Sequence, residues 1–406
     1  MDFAKIKTAP SAQSAFKKWS ALCIATMSFM YIFLCRFIWT SVQADVASEF
    51  FLSLTETGAY MSSFFVGYLI TQIPGGLLAD KFQPKWILAI CTLLGGVTTA
   101  MISTMSNLSA GIILRIITGI GAGCVMACCS KIIAVNFGLK ERPSAMGVLL
   151  SAPAIGIMLA NFIGTPLNKA FGWRNSFLYV GLFSIVITLL IVVFIDKVPE
   201  APKNLNKSGM LEGLKAFFTD RDQLILGISG FMFLFLNQGF STWARVFLGN
   251  IGFGPEECSN VVTVFSLAGI FASCFSGNIA KALKIGHKQF ILITLIGMSA
   301  LTIVFFNLHS YTMFIVVGFI YGAFSYLPST HYTSMATERA GERYVATAAS
   351  TQNFLFQTSG LVQPLIIGDA VDKTGNNNFI FYILFAVSIP AILFLLLVKD
   401  KKAVKK

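Results

Sequence analysis

Charge is scarce in this chain. Asp, Glu, Lys and Arg make up 12% of 406 residues, about half the share typical of a soluble domain. Mean hydropathy is +0.75, which excludes a water-soluble globular protein. Histidine is rarer still, with three residues, and no Cys, His, Asp and Glu spacing suits a metal. Cys124, Cys128 and Cys129 lie close together but far in sequence from every histidine, so they read as packing residues. Disulfides are not expected. No Walker loop, hydrolase elbow or zinc-protease helix occurs, and the short loops leave no room for a catalytic domain. The sequence therefore reads as a non-enzyme that needs no cofactor. Acidic residues are missing altogether from two long apolar runs, 19–42 and 107–136, although these hold Arg36 and Arg115.

What remains is apolar sequence in lengths of about 20 residues, the span of a membrane-crossing helix. Twelve such stretches are read: 19–42, 57–79, 85–104, 107–136, 143–167, 175–195, 223–249, 256–280, 288–306, 310–335, 344–368 and 377–398. This predicts an all-α polytopic membrane protein with twelve transmembrane helices in two six-helix bundles. The only long polar stretch, with Pro199 and Pro202, divides residues 1–197 from 223–406, and 198–222 is the expected cytoplasmic linker.

The net charge of +12 follows this topology. With the N-terminus inside, the cationic residues outside the spans fall on the cytoplasmic side, except Lys169, Arg174 and Lys373. That bias predicts both termini in the cytoplasm and accounts for the basic balance without a nucleic-acid partner. The N-terminal apolar run is too long for a cleaved leader and continues as the first span. Short loops favour a bacterial inner membrane.

The halves echo one another. Ile163-Gly164, Asn168-Lys169 and Phe177 recur as Ile367-Gly368, Asp372-Lys373 and Phe381 at a constant offset. Parallel six-helix repeats of this kind place a substrate between the halves near the bilayer midplane.

Residues 63–81 contain Gly67-Tyr68, Gln72, Pro74-Gly75-Gly76 and Asp80-Lys81, and the fourth span adds Arg115 and Gly119. Lys140-Glu141-Arg142 and Phe171-Gly172-Trp173-Arg174 follow. This pattern resembles the major facilitator superfamily and, within it, the anion:cation symporter family of organic-anion carriers. The resemblance implies that Gly76, Asp80 and Lys81 form a conformational latch. It also implies that Arg36 and Arg115 bind substrate. The chain departs from the family pattern at Gln83-Pro84 and at Lys281, which stands where a matching Asp is expected. Cys35, Ala122 and Met61 replace groups that proton-coupled members use.

Read from the residues alone, an unpaired arginine within a span marks a function, and its missing counter-charge is the cargo. Arg36 and Arg115 lie about 7 and 9 Å outward of their span centres, so one ligand can bridge them. A guanidinium fork suits a carboxylate or phosphate. Arg245, beside Trp243, reads equally as a pocket residue or an interfacial anchor. Lys131 reads as snorkelling, and Tyr321 and Tyr326 as packing or lipid-facing. Tyr68 and Gln72, Gln238, and Asn353 and Gln357 supply polar groups at helical spacing. Asp369 and His331 are the candidates for proton coupling.

The expectation is a monomeric carrier in the bilayer. It moves a small organic anion (a carboxylate, sugar acid or phosphorylated metabolite) by proton symport or anion exchange. The alternative is a carrier of amino acids or nucleosides, or a multidrug exporter.

Overall fold

The computed structural model describes residues 15–138, 141–198 and 207–399, and these are almost wholly helical. The basic tails, Lys140, Pro199 and Pro202 lie outside the described residues. The first half comprises α1 (Ala15–Phe50), α2 (Leu54–Lys81), α3 (Pro84–Ile102), α4 (Leu108–Gly123), α5 (Val125–Asn136), α6 (Arg142–Phe162) and α7 (Gly164–Phe194). A linker helix, α8 (Lys207–Thr219), follows. The second half comprises α9 (Arg221–Asn250), α10 (Pro255–Leu283), α11 (His287–Phe306), α12 (Tyr311–Tyr326), α13 (Pro328–Thr374) and α14 (Phe379–Leu397). Among the described residues, 11 stretches are long and apolar enough to cross a membrane. α2, 28 residues long and packed among them, is the remaining span.

Three boundaries differ from the sequence reading. The fourth span is two helices, α4 and α5, interrupted at Cys124. The fifth helix ends at Phe162, and α7 turns at Gly172, whose φ of 79° favours glycine. That turn aims Trp173 Nε1 and Arg174 Nη1 at Glu49, 2.7 and 2.8 Å away, tying α7 to the end of α1. The tenth and eleventh spans, Tyr311–Ala340 and Thr347–Thr374, are carried by α12 and α13.

Polar residues at the helix ends satisfy backbone groups that the helix leaves open. Ser53 and Glu56 form a capping box on α2, Asn107 caps α4, and Asp220 caps α9. Gln83, which departs from the family pattern, exchanges two hydrogen bonds with the Val198 backbone and ties the α2–α3 turn to the start of the linker.

Within the first half α2 packs on α4, α3 on α7 and α1 on α6; in the second, α9 packs on α13 and α14, and α10 on α12. The halves meet along α2 with α13 and α6 with α10. The described residues next to both ends and to the linker lie on one face, where Lys17 meets Asp196 at 3.1 Å and Arg339 meets Asp222 at 2.9 Å. The hydrogen bonds described between the halves lie at the level of Arg36 or beyond it, toward the opposite face.

At that opposite face Asp372 of α13 accepts from the Leu54 and Thr55 amides at 3.0 and 2.6 Å and from the Thr55 hydroxyl at 2.6 Å. One half thus supplies an anionic cap to a helix of the other, where the helix dipole favours it. Lys169 and Glu256 pair at 2.7 Å across the same seam. The helices touch closely there: a Cβ on Gly58 would stand 2.4 Å from the Pro364 carbonyl oxygen.

Gly58→Ala should therefore wedge α2 from α13, at a cost of about 1–3 kcal/mol to the closed arrangement. With a single cysteine placed by Ser259→Cys in a cysteine-free background, Gly58→Ala or Asp372→Ala should speed labelling by a membrane-impermeant maleimide several-fold. Unchanged labelling in both would mean that this seam does not hold the opposite face shut.

Candidate functional site

Arg36 lies on α1, 3% exposed, in the seam between the halves. Its Nη2 donates to Gln238 Oε1 on α9 at 3.0 Å, and Gln238 Nε2 donates in turn to Gln357 Oε1 on α13 at 3.0 Å. Phenyl rings surround the cation: Phe65 at 4.1 Å, Phe37 at 4.4 Å, and Phe64 and Phe33 at 5.8 and 6.0 Å. Ring faces attract a cation by about 0.5–2 kcal/mol each. Nε has no partner. Among the described residues no carboxylate pairs with this guanidinium, so its charge is eased by rings and one amide and is not cancelled.

Arg36 lines a cavity with Ile32, Phe33, Phe64, Phe65, Tyr68 and Gln357. Its volume is about 10 Å³, room for about one water. Phe65 closes it on the side away from the termini, because the ring fills a notch at Gly360. A Cβ there would come within 2.0 Å of the Phe65 ring and 2.5 Å of Gln238 Oε1. A guest larger than water fits only if the halves part.

Arg115 is fully buried but faces elsewhere. Nη1 donates to the Cys35 carbonyl at 2.8 Å and Nη2 to the Arg36 carbonyl at 2.9 Å, with the Tyr60 ring 4.9 Å away. The two guanidiniums thus do not share one chamber. Arg115 clamps α1 at the residue whose side chain enters the cavity, so it fixes where Arg36 points.

Arg245 lies seven residues beyond Gln238 on α9, about 10 Å further out by helical rise. Nη1 donates to Asn161 Oδ1 at 3.2 Å and to the Thr165 hydroxyl at 2.9 Å, both in the first half. Ser259 Oγ donates to the Asn161 carbonyl at 2.6 Å beside it. Arg245 therefore belongs to the closed seam. Trp243 is buried, so the pair forms no interfacial anchor.

The other expected polar residues separate into near and distant sets. The Tyr68 hydroxyl lies beside Gln357 and Asn353, which brings α2 and α13 together at the cavity. Gln72 is half-buried one turn toward the termini, with a buried Oε1 that has no partner. Tyr326, expected among packing or lipid-facing residues, instead lies buried beside Arg36 and Asn237. No sequence signal separates it from Tyr321, which stacks on Phe240 at 4.3 Å.

The expected latch and coupling residues stand apart from this cavity. The Asp80 side chain lies outside the described residues. Gly76 faces open space, and exposed Lys81 lies 5.5 Å from the Phe82 ring. Lys131 does more than snorkel, since its amine donates to the Ala79 carbonyl at 2.6 Å, in the last turns of α2. Asp369 accepts from Lys373 one turn along its own helix at 2.8 Å, near the opposite face. His331 is buried within the second half, its Nδ1 2.7 Å from that of His287. Neither group reaches Arg36.

A sequence profile described as Major Facilitator Superfamily matches residues 23–364 and 246–406. The chain is 24% identical over 347 residues to a hexuronate transporter of Bacillus subtilis, covering 81% of this chain and 82% of that one. It is 24% identical over 365 residues to a probable sulfoacetate transporter of Cupriavidus necator, covering 83% and 84%. In fold it is similar to a bacterial homologue of the human lysosomal transporter Spinster in an inward-facing, occupied conformation. The TM-score there is 0.77 at 17% identity, over 95% of this chain and 97% of that one.

The different settings of the two arginines predict opposite effects on stability. Arg115→Ala should cost about 2–4 kcal/mol through two lost charged hydrogen bonds. Arg36→Met should be neutral or stabilising, because it removes an uncompensated buried charge. Melting of the purified variants in detergent checks this, and equal losses would show that both cations serve the fold alone.

Proposed function

The chain belongs to the major facilitator superfamily, and on that premise we propose that it carries a small organic anion across the membrane by alternating access. The observation behind this reading is Arg36, a buried cation in the inter-half cavity whose described partners include no carboxylate. A carboxylate or phosphate accepts from the guanidinium fork as two parallel hydrogen bonds and supplies the missing charge. The similarity to transporters of hexuronate and, probably, sulfoacetate supports an anionic cargo.

The seam closed by Phe65, Arg245, Asp372 and Lys169 is the outer gate in this reading, and the face bearing the termini is the cytoplasmic side of a bacterial inner membrane. The distribution of Lys and Arg favours that orientation. One chain contains the whole pocket, so a monomer suffices. In the cycle, an anion on Arg36 displaces Gln238 Oε1, releasing the amide bridge that joins α1 to α9 and α13. Binding then acts on the contact between the halves, which gives the ligand different affinities for the two states. Gly76, Asp80 and Lys81 serve as the cytoplasmic latch of the alternate state.

The same unpaired charge favours anion exchange over proton symport. A carrier that returns empty keeps an uncompensated cation in a closed, apolar seam, which is costly. A carrier that returns with a counter-anion does not.

Two measurements test this reading. In a thermal-shift panel of organic anions, amino acids, nucleosides and drugs, an anion should raise the melting temperature by mass action, and Arg36→Ala should abolish that rise. Stabilisation by neutral compounds alone would overturn it. In proteoliposomes, the stabilising anion added unlabelled outside should accelerate efflux of the same labelled anion several-fold. Efflux that ignores the external anion and follows an imposed pH gradient would exclude exchange.

A further inference from the structure

The identity of the anion is narrowed by what each arginine is already doing. Arg115 has both terminal nitrogens on helix carbonyls, and Arg245 donates to Asn161 and Thr165 in the outer seam. Among the described residues that line the cavity, Arg36 is the cation that presents N–H groups to a guest. One guanidinium holds one carboxylate bidentately. A second carboxylate on the same cargo would face rings and amides with no cation to meet it.

The walls have two characters. On the α2 side, Phe64, Phe65 and Tyr68 form a continuous aromatic surface. Phe64 stacks with Tyr68 at 6.0 Å and 24°, and Phe65 meets both nearly edge-on. Ile32 and Phe33 of α1 extend it. Opposite stand amides and hydroxyls, few of them free. Gln238 Oε1 is held by Arg36, Gln357 Oε1 by Gln238, and the Tyr68 hydroxyl lies against Gln357 and Asn353, so the polar edge is the short row Tyr68, Gln357 and Asn353. A sugar acid carries hydroxyls on every side of its ring and needs partners on both walls, and an unpaired hydroxyl in an apolar wall is penalised. A flat ring needs apolar contact on its face and polar contact at most at its edge. The Gln238 amide bridges the Arg36 guanidinium and the Gln357 oxygen through two 3.0 Å hydrogen bonds, and a flat ring would take its place once the carboxylate displaces that amide.

We propose that the cargo is a single-ring aromatic monocarboxylate, held by its carboxylate on Arg36, its ring face on Phe64 and Tyr68, and any ring hydroxyl or ring nitrogen at the Gln357–Asn353 edge. This rests on the organic-anion reading above and is tested so that the two fail separately. Aromatic pairing prefers offset-stacked or edge-to-face rings, the two arrangements that the α2 surface already contains.

The experiment is a thermal-shift titration of the full-length protein with five probes. These are 4-hydroxybenzoate and nicotinate as ring monocarboxylates, nicotinamide as the neutral counterpart, galacturonate as a sugar acid, and succinate as a dicarboxylate. The ring acids should give half-maximal stabilisation at concentrations about tenfold or more below those for galacturonate and succinate, and nicotinamide should give none. Phe64→Leu, which keeps apolar volume and removes the ring, should raise the midpoint for the ring acids about tenfold while galacturonate is unaffected. The comparison among probes on unaltered protein decides the matter even if that variant does not fold. Galacturonate or succinate matching the ring acids, in a manner lost in Arg36→Ala, would overturn the aromatic assignment and leave the anion carrier intact. Nicotinamide matching nicotinate, or no shift with either ring acid, would overturn the aromatic assignment as well. Stabilisation by nicotinamide alone would overturn both readings.

Discussion

A guanidinium that leaves water keeps its charge, and something nearby must answer it. At Arg36 the answer is incomplete: four rings, one amide oxygen, and no carboxylate among the described residues. This deficit organises the middle of the molecule. It explains why Gln238 reaches across from α9 and why Gln357 steadies Gln238. It also explains why Arg115 spends its own fork on the carbonyls of Cys35 and Arg36, since a cation held in an apolar seam needs a fixed backbone beneath it.

The three membrane arginines show how one residue type takes different work from its surroundings. Arg36 points into the cavity, Arg115 into a neighbouring helix, and Arg245 into the opposite half. In each case the acceptor differs: a side-chain amide beside the cavity, a helix backbone within the same half, or side chains across the inter-half seam. Gly58, Gly360 and Gly368 serve the same seam by allowing close approach, so the fit between halves is steric as well as polar.

Much of this was legible in sequence, and the reasons divide sharply. Helix number and the two-half arrangement follow from hydropathy and charge placement, which are sums over many residues and tolerate local error. The lack of a carboxylate beside Arg36 was legible because an acid-free apolar run gives it no local partner. The direction of Arg115 was not, because it depends on how α4 is rotated against α1, which spacing within α4 does not encode. Tyr326 was missed for the same reason: both are tyrosines on α12, yet one lies beside Arg36 and the other stacks in the second half. The boundary shifts at Cys124 and Phe162 arose where a helix breaks inside an uninterrupted apolar run, a place where hydropathy carries no mark.

The carboxylate of Asp372 lies 318 residues after the amide of Leu54 that it holds. A chain emerging from the ribosome therefore completes and inserts α2 long before that acceptor exists. During this interval the first turn relies on Ser53 and Glu56 beside it, a local arrangement sufficient for insertion. The distant acceptor arrives last, as an addition to a helix already formed. The same local cap would keep the first turn of α2 intact in any arrangement that lacks the Asp372 contact.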